Sequence, residues 1–543
     1  MKLRHFFTLC AAGAFLASFA QSHVEGVEYY KADQFNNARE LLERNYNNSG
    51  TDKAVADYYL GLIALENGDK AKAAEYFNKG VAENPEYGYN YAGKGALELL
   101  NGNAKEASKL FKEGEGKAKK DASYLIAVAR AYYDADPVAY AKDIEKYVNN
   151  ARKVSKNQNP DIYLFDGDIK RSNKDFGGAA GQYEMAASYN PNSAEAYVKY
   201  ANLFTQVNPQ FAITKLTELL NNNPGSALGQ RELANAYYNK QDFKKAAQEY
   251  GKYVANPNHF KQDEDRYAFL LFYGQDFQKG YDYASKLLAA NPGNFTARRY
   301  QFMNAAQIPA MKDQLVPMAE ELMKMHRENP ANKFAAIDYT LIADELSSAK
   351  RSDEAVELLK EAIADQPDNA NFNKQLAMTF VNLNQLANAS DAYEGYLAKS
   401  EKPGYNDFIQ QATFSYYAGV ENHDNPEKAK VYFDKTAEYA AKAGEILPDN
   451  YKPVKFQGDI AKQTATTEEG VKSAAQPFYE KAIVMLEASE NPARYASDAK
   501  EMYNYMGNYY LDQKDKAKAK QYFSKYLEYD PNNEAYRKFV DSL

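Results

Sequence analysis

Small, apolar and aromatic positions between residues 54 and 121 fall in the same order twice. Gly61, Gly68, Ala73, Phe77 and Gly80 recur as Gly95, Gly102, Ala107, Phe111 and Gly114, each step being 34 positions. Each copy reads as a helical hairpin. Small residues at Gly61 and Ala73 let its two helices approach closely, and Phe77 fills the space between one hairpin and the next. Repetition at this period predicts an array in which every unit contacts only its neighbours, so the core grows in one dimension.

The positions recur further along the chain. In 160–193 they are Gly167, Ala179, Tyr183, Ala186 and Pro191; in 227–257, Leu233, Ala234, Tyr237, Ala246, Tyr250 and Pro257. Ala343, Ala355, Leu359, Ala362 and Pro367 occupy them in 336–369, Ala377, Ala389 and Tyr393 in 370–403, and Gly507, Tyr510, Ala519, Phe523 and Pro531 in 500–533. Asn-Pro, a strong helix stop, occurs ten times, at Asn84-Pro85 and Asn190-Pro191 among others. With Leu60-Gly61, Ala64, Ala73, Phe77 and Pro85 in place, the chain resembles the tetratricopeptide repeat family over nearly all of 22–543. The family's first-helix Trp is missing throughout.

The resemblance implies an all-α fold, a right-handed superhelical solenoid of about 14 helix-turn-helix hairpins. Two continuous arrays are expected, 21–330 and 331–543, with irregular units near 404–492. Residues 533–543 should form a capping helix with Tyr536, Phe539 and Val540 turned inward, and 22–48 a degenerate first hairpin containing Ala38 and Leu42. Pro309 and Pro317 predict a late start for the second helix of 294–330. The polar stretch 464–470 reads as a surface loop.

The N-terminus changes the setting. Lys2 and Arg4 precede an apolar run from Phe6 to Phe19, then Ser18 and Ala20 at a cleavage-compatible spacing. This predicts a cleaved signal peptide over 1–20 and export to the periplasm or outer membrane of a Gram-negative bacterium. The single cysteine, Cys10, lies inside that run, so the mature chain would have neither disulfides nor thiol chemistry. Removing Lys2 and Arg4 leaves 64 of the 66 basic residues against 74 acidic ones, a net charge of −10. Such a balance disfavours nucleic acid and anionic lipid as partners. Hydrophobic residues make up 45%, yet mean hydropathy is −0.69; the 47 tyrosines account for the gap. Tyrosine suits surfaces that are apolar in body and wet at the tip, although Tyr183, Tyr250 and Tyr393 fall at packing positions.

Catalytic chemistry finds no support. His23, His259, His326 and His423 share no metal-ligand spacing, and no calcium loop, phosphate loop or nucleophile elbow is present. No cofactor, metal site or catalytic residue is expected, and no transmembrane segment. In the family, the first helices of successive hairpins line a concave groove where partners lie. By position Asn202, Arg231, Asn235 and Tyr238 face that groove. Arg231 and Asn235, four residues apart, resemble part of a carboxylate clamp for peptide C-termini, but the rest of the clamp is not evident in the next repeat, where Arg266 falls near the place a matching Asn would take. The expected function is a non-enzymatic protein-binding scaffold or adaptor of the cell envelope. The alternative is a glycan-binding helical-repeat protein of a polysaccharide-uptake system, a reading weakened by the absence of Trp.

Overall fold

The turn that joins the two helices of a hairpin needs one residue in the left-handed region. Gly68 and Gly102 supply it with φ of 75° and 81°. Asp33, Lys174, Gln241, Lys350, Asn384 and Lys514 supply it elsewhere. The next residue commonly caps the second helix: Asp69, Asp175, Asp242 and Asp515 each accept a hydrogen bond from a backbone N–H three residues on. In the computed structural model, which describes residues 22–543, every regular element among the described residues is helical. The expected signal peptide and Cys10 lie outside the described residues. None of the described helices is long and apolar enough to cross a membrane.

The chain divides into two compact units, the first ending at Asn304 and the second running from Ala305 to Leu543. The first contains eight consecutive hairpins. They are α1 (His23–Lys31) with α2 (Phe35–Asn45), α3 (Lys53–Glu66) with α4 (Lys70–Glu83), α5 (Tyr89–Leu100) with α6 (Ala104–Ala118), and α7 (Ala122–Ala135) with α8 (Ala141–Ser155). There follow α9 (Pro160–Ser172) with α10 (Phe176–Tyr189), α11 (Ala194–Phe204) with α12 (Pro209–Asn222), α13 (Ala227–Asn239) with α14 (Phe243–Val254), and α15 (Asp263–Tyr273) with α16 (Phe277–Ala290). Ala38 and Leu42 of the degenerate first hairpin are fully buried.

Packing within the unit follows the repeated residues. The Phe77 ring is fully buried between Gly61 of α3 and Gly93 of α5. A Cβ at either glycine would stand 2.3 or 2.2 Å from the ring. Gly95 abuts Phe111, and Gly167 abuts Tyr183, in the same way. Tyr183, Tyr250 and Tyr393 are all buried, in keeping with packing roles.

The second unit has paired helices at Ala336–Ser348 and Ser352–Asp365, Ala370–Asn382 and Leu386–Lys399, and Tyr405–Glu421 and Pro426–Ile446. Two more pairs follow, Lys452–Thr464 with Gln476–Glu487 and Ala496–Asp512 with Lys516–Tyr529. A 3-10 segment at Pro309–Gln314 delays the next helix to Leu315, as the prolines predict. The expected loop at 464–470 is shorter than the sequence suggests. A helix starts at Glu468, because the Thr467 hydroxyl caps the Gly470 N–H and Glu468 and Glu469 complement the helix N-terminus. The closing helix is Glu534–Ser542. Val540 is buried and Tyr536 stacks on Tyr526, while Phe539 meets Phe523 edge-on and stays 40% exposed.

Candidate partner-binding cavity

Helix α1 packs against α3, and also against α11 and α13, which lie far along the chain. The first hairpin therefore meets the sixth and seventh within the first unit. The Glu25 carboxylate accepts the Leu228 N–H of α13 at 3.0 Å, Gln34 bonds Glu232 at 2.9 Å, and Tyr29 meets Phe260 edge-on. On the other side of α1 lies a partly open cavity of about 720 Å³. Its walls come from the first helices α1, α3, α5, α7, α9 and α11, together with Phe35 at the start of α2 and adjoining loop residues.

One wall is aromatic. Phe35, Tyr30, Tyr59, Tyr58, Tyr89 and Tyr87 form an unbroken series of ring contacts with centroids 5.0–5.4 Å apart. Burial raises the pKa of all five tyrosines. The Tyr89 hydroxyl donates to Asp121 at 2.6 Å. Those of Tyr30, Tyr58, Tyr59 and Tyr87 make no hydrogen bond to another described residue and stay available inside the cavity. The floor is small, formed by Ala92, Gly93 and Ala96 of α5 and Ala127 and Ala131 of α7.

Charge completes the lining, with eight carboxylates against three permanent cations. The Lys199 ammonium, 3% exposed, lies 2.7 Å from Asp168 and 3.0 Å from Asp33. Arg130 reaches the other Asp168 oxygen at 2.7 Å, and the Tyr183 hydroxyl donates to Asp168 at 2.9 Å. Burial pushes the Asp168 carboxyl up, but Lys199 and Arg130 together outweigh it and bring it down to about 2. Lys31 lies 3.5 Å from Asp161 and 3.6 Å from Glu195. Asp161 holds the Lys31 pKa well above its ordinary value. Unlike Asp168, Glu28 is shifted upward: burial, then Glu25 and Glu195, push its carboxyl up. The Asp52 backbone N–H donates to His23 Nδ1 at 3.0 Å, and burial lowers the imidazole pKa, so both effects favour neutral His23.

The groove residues expected from sequence lie outside this lining. Arg231 is half-buried, with Nε 2.8 Å from Asp263 and a second guanidinium nitrogen 3.2 Å from the Gln34 side-chain oxygen. Asn235 donates to Glu232 at 3.4 Å. Tyr238 packs on Phe243 and Phe269, with the Arg266 guanidinium 4.8 Å from its ring centroid. Asn202 is exposed. Sequence reasoning did not single out Lys199, Asp168 or Arg130. The one available signal was a charged residue at an inward first-helix position, and solvated helix faces carry the same signal.

No curated protein matches the chain by sequence. Family models described as tetratricopeptide repeat match residues 23–88, 340–405 and 501–533. Similar solved structures include the C-terminal part of a TPR repeat-containing protein from Cytophaga hutchinsonii, at 18% identity and a TM-score of 0.39, covering 50% of this chain and 98% of that one. YrrB, a TPR protein with an unusual peptide-binding site, is 17% identical with a TM-score of 0.28 over 41% of this chain and all of its own. A thermophilic TPR protein of Thermus thermophilus is 16% identical, with a TM-score of 0.25 over 38% and 98%. The three matched segments, one in the first unit and two in the second, show that this chain is built with tetratricopeptide repeats, and helix pairs packed on glycine and an aromatic ring occur in both units.

Proposed function

We propose that this chain is a non-enzymatic scaffold of the bacterial cell envelope, holding segments of partner proteins in the cavity of its first unit. Proteins built from these repeats generally bind other proteins and are typically non-catalytic. The observation that carries the reading is the cavity itself: about 720 Å³, walled by first helices, with phenolic hydroxyls that bond no described residue. Tyrosine gives a binding wall large contact area at low entropic cost, with a hydroxyl to satisfy a partner's backbone. Asp168 supports a structural role for the buried charges, since a carboxyl held at about 2 by two cations is a poor proton carrier at neutral pH. The signal-like segment before residue 21 supports export. Because Arg231 is taken up by Asp263 and Gln34, we assign the holding role to the cavity rather than to an Arg231–Asn235 clamp.

Replacing Tyr59 with a photo-crosslinking phenylalanine analogue tests this in living cells. Mass spectrometry should recover specific envelope proteins, crosslinked at that position and absent when the analogue replaces exposed Val484 of the second unit. Adducts no more abundant than those at 484 would refute the reading.

A further inference from the structure

Two connections between hairpins of the first unit are longer than their neighbours, and both serve the first hairpin. Those after α8, α10 and α12 take four residues each, 156–159, 190–193 and 223–226. The connection after α14 takes eight, 255–262, and the one after α2 takes seven, 46–52. The α14–α15 loop uses its added length to reach α2. The Arg44 guanidinium donates to the His259 carbonyl at 3.0 Å and lies 5.8 Å from the Phe260 ring centroid. Gln262 donates to Glu40, and Asn45 to Asn258, each at 3.3 Å. Ordering the added residues costs conformational entropy, which these contacts with α2 offset.

The seam continues onto α11 and α13 in polar contacts. The Ser226 hydroxyl donates to Glu28 at 3.3 Å, beside the Glu25–Leu228, Gln34–Glu232 and Lys199–Asp33 contacts described above. Hydrogen bonds of this kind exchange for water at a modest net cost. Closure also leaves one polar group unmet. Tyr29 is fully buried against Phe260, and its hydroxyl has no hydrogen-bond partner. Parting the seam returns that hydroxyl to water, which lowers the cost of opening. The first hairpin keeps a hold on α3 beside the 46–52 connection, where the Tyr46 hydroxyl donates to Asp57 at 2.9 Å. Because α1 walls the cavity through Val27, Tyr30 and Lys31, a hairpin that leaves α11 and α13 opens that wall.

We propose that the first hairpin is a gate on the cavity. It swings on the 46–52 connection, parts from α11, α13 and the 255–262 loop to admit a partner segment, and closes again over it. This rests on the protein-scaffold reading above and adds how that site is entered.

Ala127→Cys places the only thiol of the mature chain in the cavity floor. Its rate of alkylation by a polyethylene-glycol maleimide, too bulky to enter beside a closed wall, reads how often the gate opens. The contacts of Glu40 and Arg44 given above all cross the seam, so Glu40→Ala with Arg44→Ala weakens the seam alone. That pair should raise the rate about tenfold or more, as two lost hydrogen bonds require. Sodium chloride at about 1 M screens the exposed ion pairs and should raise the rate severalfold without any change at the seam. Ala488→Cys, exposed in the second unit, should react at one rate throughout. Rates at 127 that respond to neither the seam variant nor salt overturn the gate. So does a rise accompanied by lost hydrogen-exchange protection in α3–α6, the mark of local unfolding. Either result leaves specific crosslinks at position 59 standing for the scaffold reading; no specific crosslinks at 59 would sink that reading whatever the alkylation rates.

Discussion

Gly61→Ala should destabilise the first unit, although alanine is the better helix former. In an open helix the exchange gains about 1 kcal/mol. At Gly61 the new Cβ would lie 2.3 Å from Phe77 Cε1, where ordinary contact begins near 3.4 Å. The ring must therefore retreat by roughly 1 Å in a close-packed interior. It has nowhere to go, because it is fully buried and a Cβ at Gly93 on its other side would stand 2.2 Å away. Overpacking of this kind costs up to about 3 kcal/mol, which leaves a net loss of about 2 kcal/mol after the helix gain. Gly181 in α10 is the control: a Cβ there meets nothing within 4 Å, so Gly181→Ala should stabilise by up to about 1 kcal/mol. Global denaturation is a poor readout for a repeat array, whose units unfold semi-independently. Hydrogen exchange of the α3–α5 amides reads the local free energy instead. Phe77→Leu removes the ring edge, so the pair Gly61→Ala and Phe77→Leu should cost at least about 1 kcal/mol less than the sum of the singles. Protection raised by Gly61→Ala, or costs that add within about 0.5 kcal/mol, would refute the ring-in-glycine packing.

Lys199→Met should free the first hairpin, since it removes the cation that ties Asp33 of the α1–α2 turn to Asp168 of α9. Arg130 and Arg171 still hold those carboxylates, so the cost should sit near the low end for a broken buried pair, about 3 kcal/mol. Unchanged hydrogen exchange in α1 and α2 would contradict the latch. A pH prediction follows from Glu25, whose carboxyl burial pushes up to about 7. The folded state keeps a proton that the unfolded chain releases near 4.5, so this contribution is fully present below 4.5 and is lost as pH rises through 7. Glu25→Gln should therefore match the parent in hydrogen-exchange protection of α1 at pH 4 and exceed it at pH 8, by about 1–2 kcal/mol of local stability; a variant less protected at pH 8 would reverse the sign. Asp168 acts oppositely. Its contribution is present above about 4 and lost as pH falls towards 2, and Asp168→Asn should flatten that acid limb in the hydrogen-exchange protection of α9.

How much of this was legible in the sequence depends on where each residue's constraint originates. The 34-residue pattern is clearest at 54–121 because both of its left-handed turn positions, Gly68 and Gly102, are glycine, and both packing rings are phenylalanine. Elsewhere Lys174 or Gln241 takes the turn and tyrosine replaces phenylalanine, so the same geometry is written in residues without a distinctive signal. The helix starting at Glu468 was hidden because Thr467 and two glutamates serve equally as loop residues and as a capped first turn.

The charged cavity was not legible. Arg231 and Asn235 share a helix face by spacing alone, but spacing does not reveal Asp263, 32 residues on, or Gln34, 197 residues back. Local sequence determined what each hairpin needs to close on itself and on its neighbour: small residues where helices touch, a ring between them, a turn and a stop. Those constraints act over one repeat and leave their mark at one period. The meeting of the first hairpin with the sixth and seventh spans 166 and 197 positions in the Lys199–Asp33 and Arg231–Gln34 contacts. Only the accumulated geometry of the intervening hairpins brings those residues together. It is that closure which brought Asp33 against Lys199 and Asp168 and set first-helix tyrosines and charges around one pocket.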